Sequence, residues 1–258
     1  MTAILLCAGF ATRMEPLTKD TPKALLEVGG KPVIDHLIGQ ILDLSHLDSI
    51  YIVTNDRFFK HFLDWGEHNQ GAITERGISL HIYNDGVESP ERRLGAAGDL
   101  GFVVSSLPEN KGALVAAGDN IFRFPLKPYW EKFMRDDKSY VLALLTEDRE
   151  RLRRTGVLEL GQDDRVAAFH EKPENPPSSF ACPAIYFLKP RSLDLVREYL
   201  SSADAKDEIG YFISYLAKHD AIYALRAEGE AIDIGTIESY ERAKKVLSEE
   251  PVICRERE

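Results

Sequence analysis

Four short stretches of this chain collect residue types suited to chemistry on phosphates. The longest, CAGFATRMEPLTKDTPK (residues 7–23), follows the apolar run AILLCA and holds Ala8, Gly9, Thr12 and Arg13 near one end and Lys23 at the other. A glycine-containing turn after a buried strand aims backbone N–H groups at anionic oxygens. Arg13 adds a bidentate donor and Lys23 a compact charge, a pairing that suits a polyphosphate. A surface loop with incidental cations is the plain alternative. The loop is neither a Walker A motif nor the dinucleotide fingerprint, so ordinary NAD binding is disfavoured. Compact domains rarely hold unstructured loops of roughly fifteen residues unless they bind something.

The other three stretches are shorter. In AAGDN (116–120) Asp119 follows an apolar run, which places its carboxylate at a strand's carboxyl end. There it could hold Mg²⁺ beside substrate phosphates, or simply close an Asx turn with Asn120. In AIDIGT (231–236) Asp233 sits within an apolar stretch and needs a cation or hydrogen-bond donors, while Thr236 is placed to cap the following helix. In HEKP (170–173) Glu171 and Lys172 are neighbours and would face opposite ways on a strand. Taken alone, an exposed charged turn is the simpler account of that pair.

Positioning these residues requires elements that the periodicity supplies. AILLCA (3–8), SIYIVTN (49–55), ISLHIYN (78–84) and the apolar part of GALVAAGDN (112–120) read as strands. Helical patterns over 31–44, 56–68 and about 95–107 separate them. This alternation argues for a Rossmann-like α/β fold, three layers α/β/α around a mostly parallel mixed sheet. Right-handed crossovers would then put the strand ends along one edge. The second half is richer in strands: YVLALLT (140–146), TGVLEL (155–160), RVAAFHEK (165–172) and SFACPAIYFLK (179–189). Helices return at about 190–201 and 208–218, then AIYALRA, GEAIDIG and a closing helix from about Glu238. The expectation is one domain over 1–247, its nucleotide part about 1–125 and an added β-rich substrate part about 126–235. A charged tail covers 248–258.

Composition narrows the partners. The 258 residues are 44% hydrophobic and 29% charged, enough for a sizeable core. A formal net charge of −10 and a pI near 5.3 argue against general nucleic-acid binding. Three scattered cysteines give neither a disulfide framework nor a zinc site, which points to a reducing compartment. No apolar run approaches the ~18 residues of a membrane span, and the short N-terminal run lacks a signal peptide's basic region. A cytoplasmic location is expected.

Together the four stretches resemble the sugar-1-phosphate nucleotidylyltransferase family, whose signature is roughly G-x-G-[TS]-R-x-x-P-x-T-x-x-x-P-K. Here it runs from Gly9 through Thr12, Arg13, Pro16, Thr18 and Pro22 to Lys23. LGAAG (94–98) is similar to the family's nucleotide-contacting LGTAG, closer to guanylyl- and uridylyltransferase segments than to the thymidylyltransferase type. GDN (118–120), GVLEL (156–160), EKP (171–173) and DIGT (233–236) follow in the family's order. The resemblance spans residues 3 to about 247; each motif alone is weak, and six in order are specific.

The resemblance implies that a sugar 1-phosphate attacks the α-phosphorus of a nucleoside triphosphate and displaces pyrophosphate. The attacking phosphate, with a second pKa near ~6, is already largely anionic at neutral pH, so no protein base or nucleophile is needed. Arg13 and Lys23 would stabilise the nucleotide phosphates, Lys172 would hold the sugar phosphate, and Asp119 with Asp233 would hold Mg²⁺. Glu171 and the Gly156 backbone would contact the sugar, while Gly9 and Gly95 line the nucleoside pocket. Ala8, Thr12, Asn120 and Thr236 complete the implied substrate-binding set. Partners are then an NTP and a phosphorylated small molecule, with no nucleic acid and no membrane, and homo-oligomerisation left open.

Two departures stand out. Ala11 occupies the place of the signature's second glycine, and an alanine is expected to follow the same path only with negative φ. CPA (182–184) replaces a segment in which related enzymes often carry Asn or Thr followed by Gly. Three rival readings remain: a cytidylyltransferase acting on phosphocholine or another non-sugar phosphate, a glycosyltransferase, and an inactive nucleotide-sugar-binding regulatory subunit. The lack of an Asp-x-Asp motif disfavours the second, and retention of Asp119, Lys172 and Asp233 the third. The chain ends soon after DIGTIESYERAKKVL, so an appended left-handed β-helix acyltransferase domain, and with it bifunctionality, is not expected.

Overall fold

The apolar runs pair into one ten-stranded mixed sheet in the computed structural model, which describes residues 1–202 and 207–248. The first half comprises β1 (Thr2–Leu6), the short pair β2 (Glu27–Val28) and β3 (Lys31–Pro32), α1 (Val33–Ile41), β4 (Ser49–Thr54), α2 (Asp56–Thr74), β5 (Ser79–Asn84), α3 (Gly95–Ser106), β6 (Ala113–Ala117) and β7 (Asn120–Phe122). The second comprises α4 (Lys127–Arg135), β8 (Ser139–Leu145), α5 (Arg149–Leu152), β9 (Gly156–Leu160), β10 (Val166–Glu171), β11 (Phe180–Cys182), β12 (Ile185–Leu188), α6 (Pro190–Leu200), α7 (Ile209–His219), β13 (Ile222–Ala227), β14 (Ala231–Asp233) and α8 (Ile237–Ser248). Of the expected tail, residues 249–258 lie outside the described residues.

Strands β6, β1, β4 and β5 lie side by side and parallel. The chain runs outward from β1 to β4 and β5, then returns to place β6 on the other side of β1. That reversal opens a crevice at the carboxyl ends of β1 and β6, the usual ligand position in open α/β sheets. Beyond β6 the sheet turns antiparallel through β12, β8, β11, β9 and β10, with β13 parallel to β8. This is the expected three-layer α/β fold with its β-rich addition.

Strand alternation builds the layers. Ala3, Leu5, Ile50 and Ile52 face one core with Leu37, Phe62 and Trp130 from α1, α2 and α4. Ile4, Leu6, Tyr51 and Val53 face the opposite core with Leu100, Leu193 and Phe212 from α3, α6 and α7. A third, smaller core joins Met14 of the opening loop to Val28, Ile121, Ile232, Ile234 and Tyr240. It ties loop, β7, β14 and α8 into a floor beside the crevice.

Several elements differ from expectation, three of them for reasons their residues show. α2 runs past Gly71 to Thr74, because Ile73 buries in the core below it. α4, with Pro at its start and Trp130 and Phe133 buried, is an unanticipated amphipathic helix. The stretch 179–189 is not one strand but two, β11 and β12. Pro183 cannot donate to a ladder, and the pairing with β8 shifts across it, from Ala181↔Leu144 to Tyr186↔Val141.

Candidate active site

The register Leu6↔Ala117 sets Cys7 and Gly118 next to each other beyond the ends of β1 and β6, where Gly118 N–H donates to Leu6 O at 3.1 Å. A Cβ on Gly118 would lie 2.3 Å from Cys7 Sγ, so only glycine lets the turn into Asp119 pass this close. Burial, and then the neighbouring Asp119, push the Cys7 thiol far above its ordinary range. It is a packing group.

Asp119 follows, fixed on three sides. Its carbonyl accepts from Ile234 N–H at 3.1 Å, Asn120 Nδ2 donates to its Oδ1 at 2.9 Å, and the Lys23 ammonium contacts its Oδ2. Burial works to lower the Lys23 pKa, but attraction to Asp119 and then Asp233 prevails and leaves it raised. The antiparallel pairing Asp233↔Asn120 brings the second carboxylate alongside. Although Asp233 is exposed as a whole residue, surrounding protein and Asp119 raise its carboxyl to about 6, with Lys23, Lys172 and Arg13 pulling the other way. Arg13, Lys23, Asp119, Lys172 and Asp233, spread from residue 13 to residue 233, therefore share one electrostatic site.

In the opening loop Ala8 is buried, and its carbonyl accepts from Asn55 Nδ2 at 2.9 Å; Gly9 beside it is exposed with open space where a Cβ would stand. Thr12–Met14 form a 3₁₀ turn with Thr12 and Arg13 facing solvent. Ala11 corrects the expectation of negative φ: it adopts φ +51° and ψ +35°. Thr18, fully buried, donates from Oγ1 to Ala11 O at 2.8 Å, and Met14 N–H donates to the same carbonyl at 2.9 Å. Two hydrogen bonds hold a conformation that alanine alone disfavours.

On the acceptor side, antiparallel β10–β9 pairing sets Glu171 opposite Gly156, where a Cβ would meet Phe169 Cζ at 2.2 Å. Lys172 leaves the strand end at φ +45°, its N–H donating to Thr155 O at 3.1 Å. This bend swings Glu171 and Lys172 toward each other, Nζ to Oε1 at 3.5 Å. Burial raises the Glu171 carboxyl while Lys172 pulls it back. Gly95 opens α3 at φ +77° with the Asp207 backbone above it. Asn120 spends its amide on Asp119, and Thr236 caps α8, accepting from Ser239 N–H at 3.1 Å.

Three participants are absent from the sequence reading. Asn55 caps α2, accepting from Phe58 N–H at 3.1 Å, while holding Ala8; its Asn-Asp start to a helix was a readable cap signal. Asp99 was readable as a lone acid within the apolar helix GAAGDLGFVV. Glu208, 3.7 Å from Lys172, had no local signal, because only the packing of α7 along β10 brings it there.

Mg²⁺ typically takes one or two carboxylates plus substrate oxygens and water. Asp119 and Asp233, adjacent and mutually repelling, fit that donor set. No group of three or more His, Cys, Asp or Glu that could hold a metal occurs among the described residues, so substrate would complete the shell. No described helix is long and apolar enough to cross a membrane.

The chain is similar to several known proteins. A UTP–glucose-1-phosphate uridylyltransferase of Haloferax volcanii is 28% identical over 97% of this chain and 98% of its own. A bifunctional GlmU protein of Methanocaldococcus jannaschii is 26% identical over 91% of this chain; the chain spans about half that relative's length, 51%. A Bacillus anthracis structure assigned as a glucose-1-phosphate thymidylyltransferase, solved with sucrose, superposes with TM-score 0.81 at 25% identity over 97% of both chains. UTP-bound UGPase of Acinetobacter baumannii shares the fold, with TM-score 0.74 at 18% identity over 95% of this chain and 92% of its own. Residues 2–250 match the nucleotidyl transferase family, and the chain belongs to that family, among its sugar-1-phosphate nucleotidylyltransferases.

Proposed function

We propose that this protein transfers a nucleoside monophosphate from an NTP to a sugar 1-phosphate, releasing pyrophosphate. The observation that carries the reading is the gathering of three cations, Arg13, Lys23 and Lys172, around the carboxylates Asp119 and Asp233. A phosphate oxygen of the acceptor bonds to the α-phosphorus as the bond to the β-phosphate bridging oxygen breaks. The electron pair leaves with pyrophosphate.

The obstacle is repulsion between two anions, about 4 kcal/mol per unit pair at ~4 Å in an effective dielectric of ~20. Catalysis therefore rests on position and charge. Lys172 holds the acceptor phosphate, and Arg13 and Lys23 take the charge that builds on the leaving phosphates. Glu171 and the Gly156 backbone orient the sugar, and Gly9 and Gly95 border the nucleoside. Mg²⁺, held by Asp119 and Asp233, would supply charge neutralisation at the α-phosphate. The Haloferax volcanii relative makes UTP and glucose 1-phosphate the first pair to try.

The test is pyrophosphate release with Mg²⁺, crossing ATP, GTP, CTP, UTP and dTTP with a panel of sugar 1-phosphates and phosphocholine. Release confined to a sugar 1-phosphate pair supports the reading. Release only with phosphocholine moves the acceptor to another class, and silence from folded, nucleotide-binding protein supports a regulatory subunit.

A further inference from the structure

Gly210 lies inside the first turn of α7, where glycine is a poorer helix former than alanine. It does not serve an unusual backbone, since the left-handed glycines of the chain are others. Its reason is space. A Cβ there would fall 1.7 Å from Glu171 Oε2, 2.7 Å from Glu171 Cδ and 2.8 Å from Phe169 Cε1. The Glu171 carboxylate thus lies directly against the α7 backbone, its side chain 11% exposed.

Two residues earlier, Glu208 forms the N-cap position of the same helix. Its Oε1 stands 3.7 Å from Lys172 Nζ, opposite Glu171 Oε1 at 3.5 Å. The ammonium lies within 4 Å of two carboxylates, one at the end of β10 and one at the N-cap of α7. Lys172 and Glu208 are 43% and 47% exposed, so the pair adds little stability. What it provides is direction: the left-handed backbone of Lys172 turns the side chain off the strand, and Glu208 limits where it goes.

We propose that the first turn of α7 sets the acceptor pocket, with Gly210 seating the Glu171 carboxylate and Glu208 aiming the Lys172 ammonium. Both are positioning residues, acting through groups that would touch the acceptor. The inference rests on the proposed function for what those groups bind. A misplacement of ~1 Å in such a constellation can cost on the order of 10²-fold.

The test is steady-state kinetics with each substrate varied, using glucose 1-phosphate or whichever sugar 1-phosphate the wild type turns over fastest. Gly210→Ala is expected to raise the acceptor KM about 10-fold or more while the NTP KM stays within about 2-fold. Glu208→Gln, a surface change that spares folding, is expected to raise the acceptor KM about 3-fold or more. Glu171→Asp in the Gly210→Ala background withdraws the acid from the new methyl and is expected to recover part of the loss. An unchanged acceptor KM in both single variants, or an equal rise in both KM values, overturns the proposal. A crystal structure of Gly210→Ala reads the seat independently of activity: the Glu171 carboxylate unmoved overturns it. Wild-type protein silent with every substrate pair, yet with Glu171 displaced in that variant, would refute the functional reading and leave the seat standing.

Discussion

The Lys23 ammonium rests on the Asp119 carboxylate, joining the end of the opening loop to the turn after β6. The contact places a cation beside a carboxylate in the cleft proposed to receive the triphosphate. Under the proposed function, incoming phosphates would compete for Lys23 and a divalent cation for Asp119, so both would exchange partners when substrate binds.

Removing one preorganised charge from this set costs turnover rather than fold. Asp119→Ala and Lys172→Ala are each expected to lower kcat at least about 10²-fold, with thermal midpoints close to wild type. Both residues are partly exposed, which limits their share of stability. Near-wild-type rates in either variant, measured with the matched substrate pair, would refute the assignment.

Ala11 gives a prediction of the opposite sign. Its left-handed conformation costs alanine roughly 1 kcal/mol relative to glycine, partly offset by the freedom glycine adds to the unfolded chain. Ala11→Gly is therefore expected to stabilise by about 0.5 kcal/mol in denaturant melts. Thr18→Val removes the side-chain bond to the Ala11 carbonyl and is expected to destabilise by about 1 kcal/mol. A destabilised Ala11→Gly would mean that the methyl group packs in a way its φ does not reveal.

These residues also show what a sequence can and cannot disclose. The strand-end position of Asp119 was legible because it follows an apolar run. Arg13 and Lys23 lie further along the opening loop and Asp233 within an apolar stretch, so only the tertiary fold shows that these charges act on one another. The three layers were legible from the alternation of periods. Ala11 was misread because its conformation is held by hydrogen bonds to its carbonyl from Met14 and from Thr18, seven positions on, and local preference gave way to them. Pro183 carried its strand break in its chemistry, yet the apolar residues around it masked the signal. Glu208 and Gly210 were silent, since their role exists only where α7 lies on β10.

Asp99 offers the last test. It is 5% exposed on α3, and its Oδ1 has no hydrogen-bond partner. Burial, repulsion from Asp85 and a hydrogen bond shared with Asp85 raise its carboxyl to about 8, and burial raises Asp85 as well. In the unfolded chain an aspartate titrates near ~3.9. Between those values the folded protein retains a proton that the unfolded chain releases. The contribution to stability is complete below about pH 4 and falls as pH rises toward 8, at up to about 1.4 kcal/mol per pH unit. Asp99→Asn keeps a donor toward Asp85 and carries no titration. Relative to wild type it is expected to gain stability between pH 5 and pH 8, by an amount on the order of a few kcal/mol. Denaturant melts of both proteins at pH 5, 6.5 and 8 measure the difference. Parallel profiles would show that the Asp85–Asp99 pair is not protonated in the folded protein, and that a cation or solvent reaches it instead.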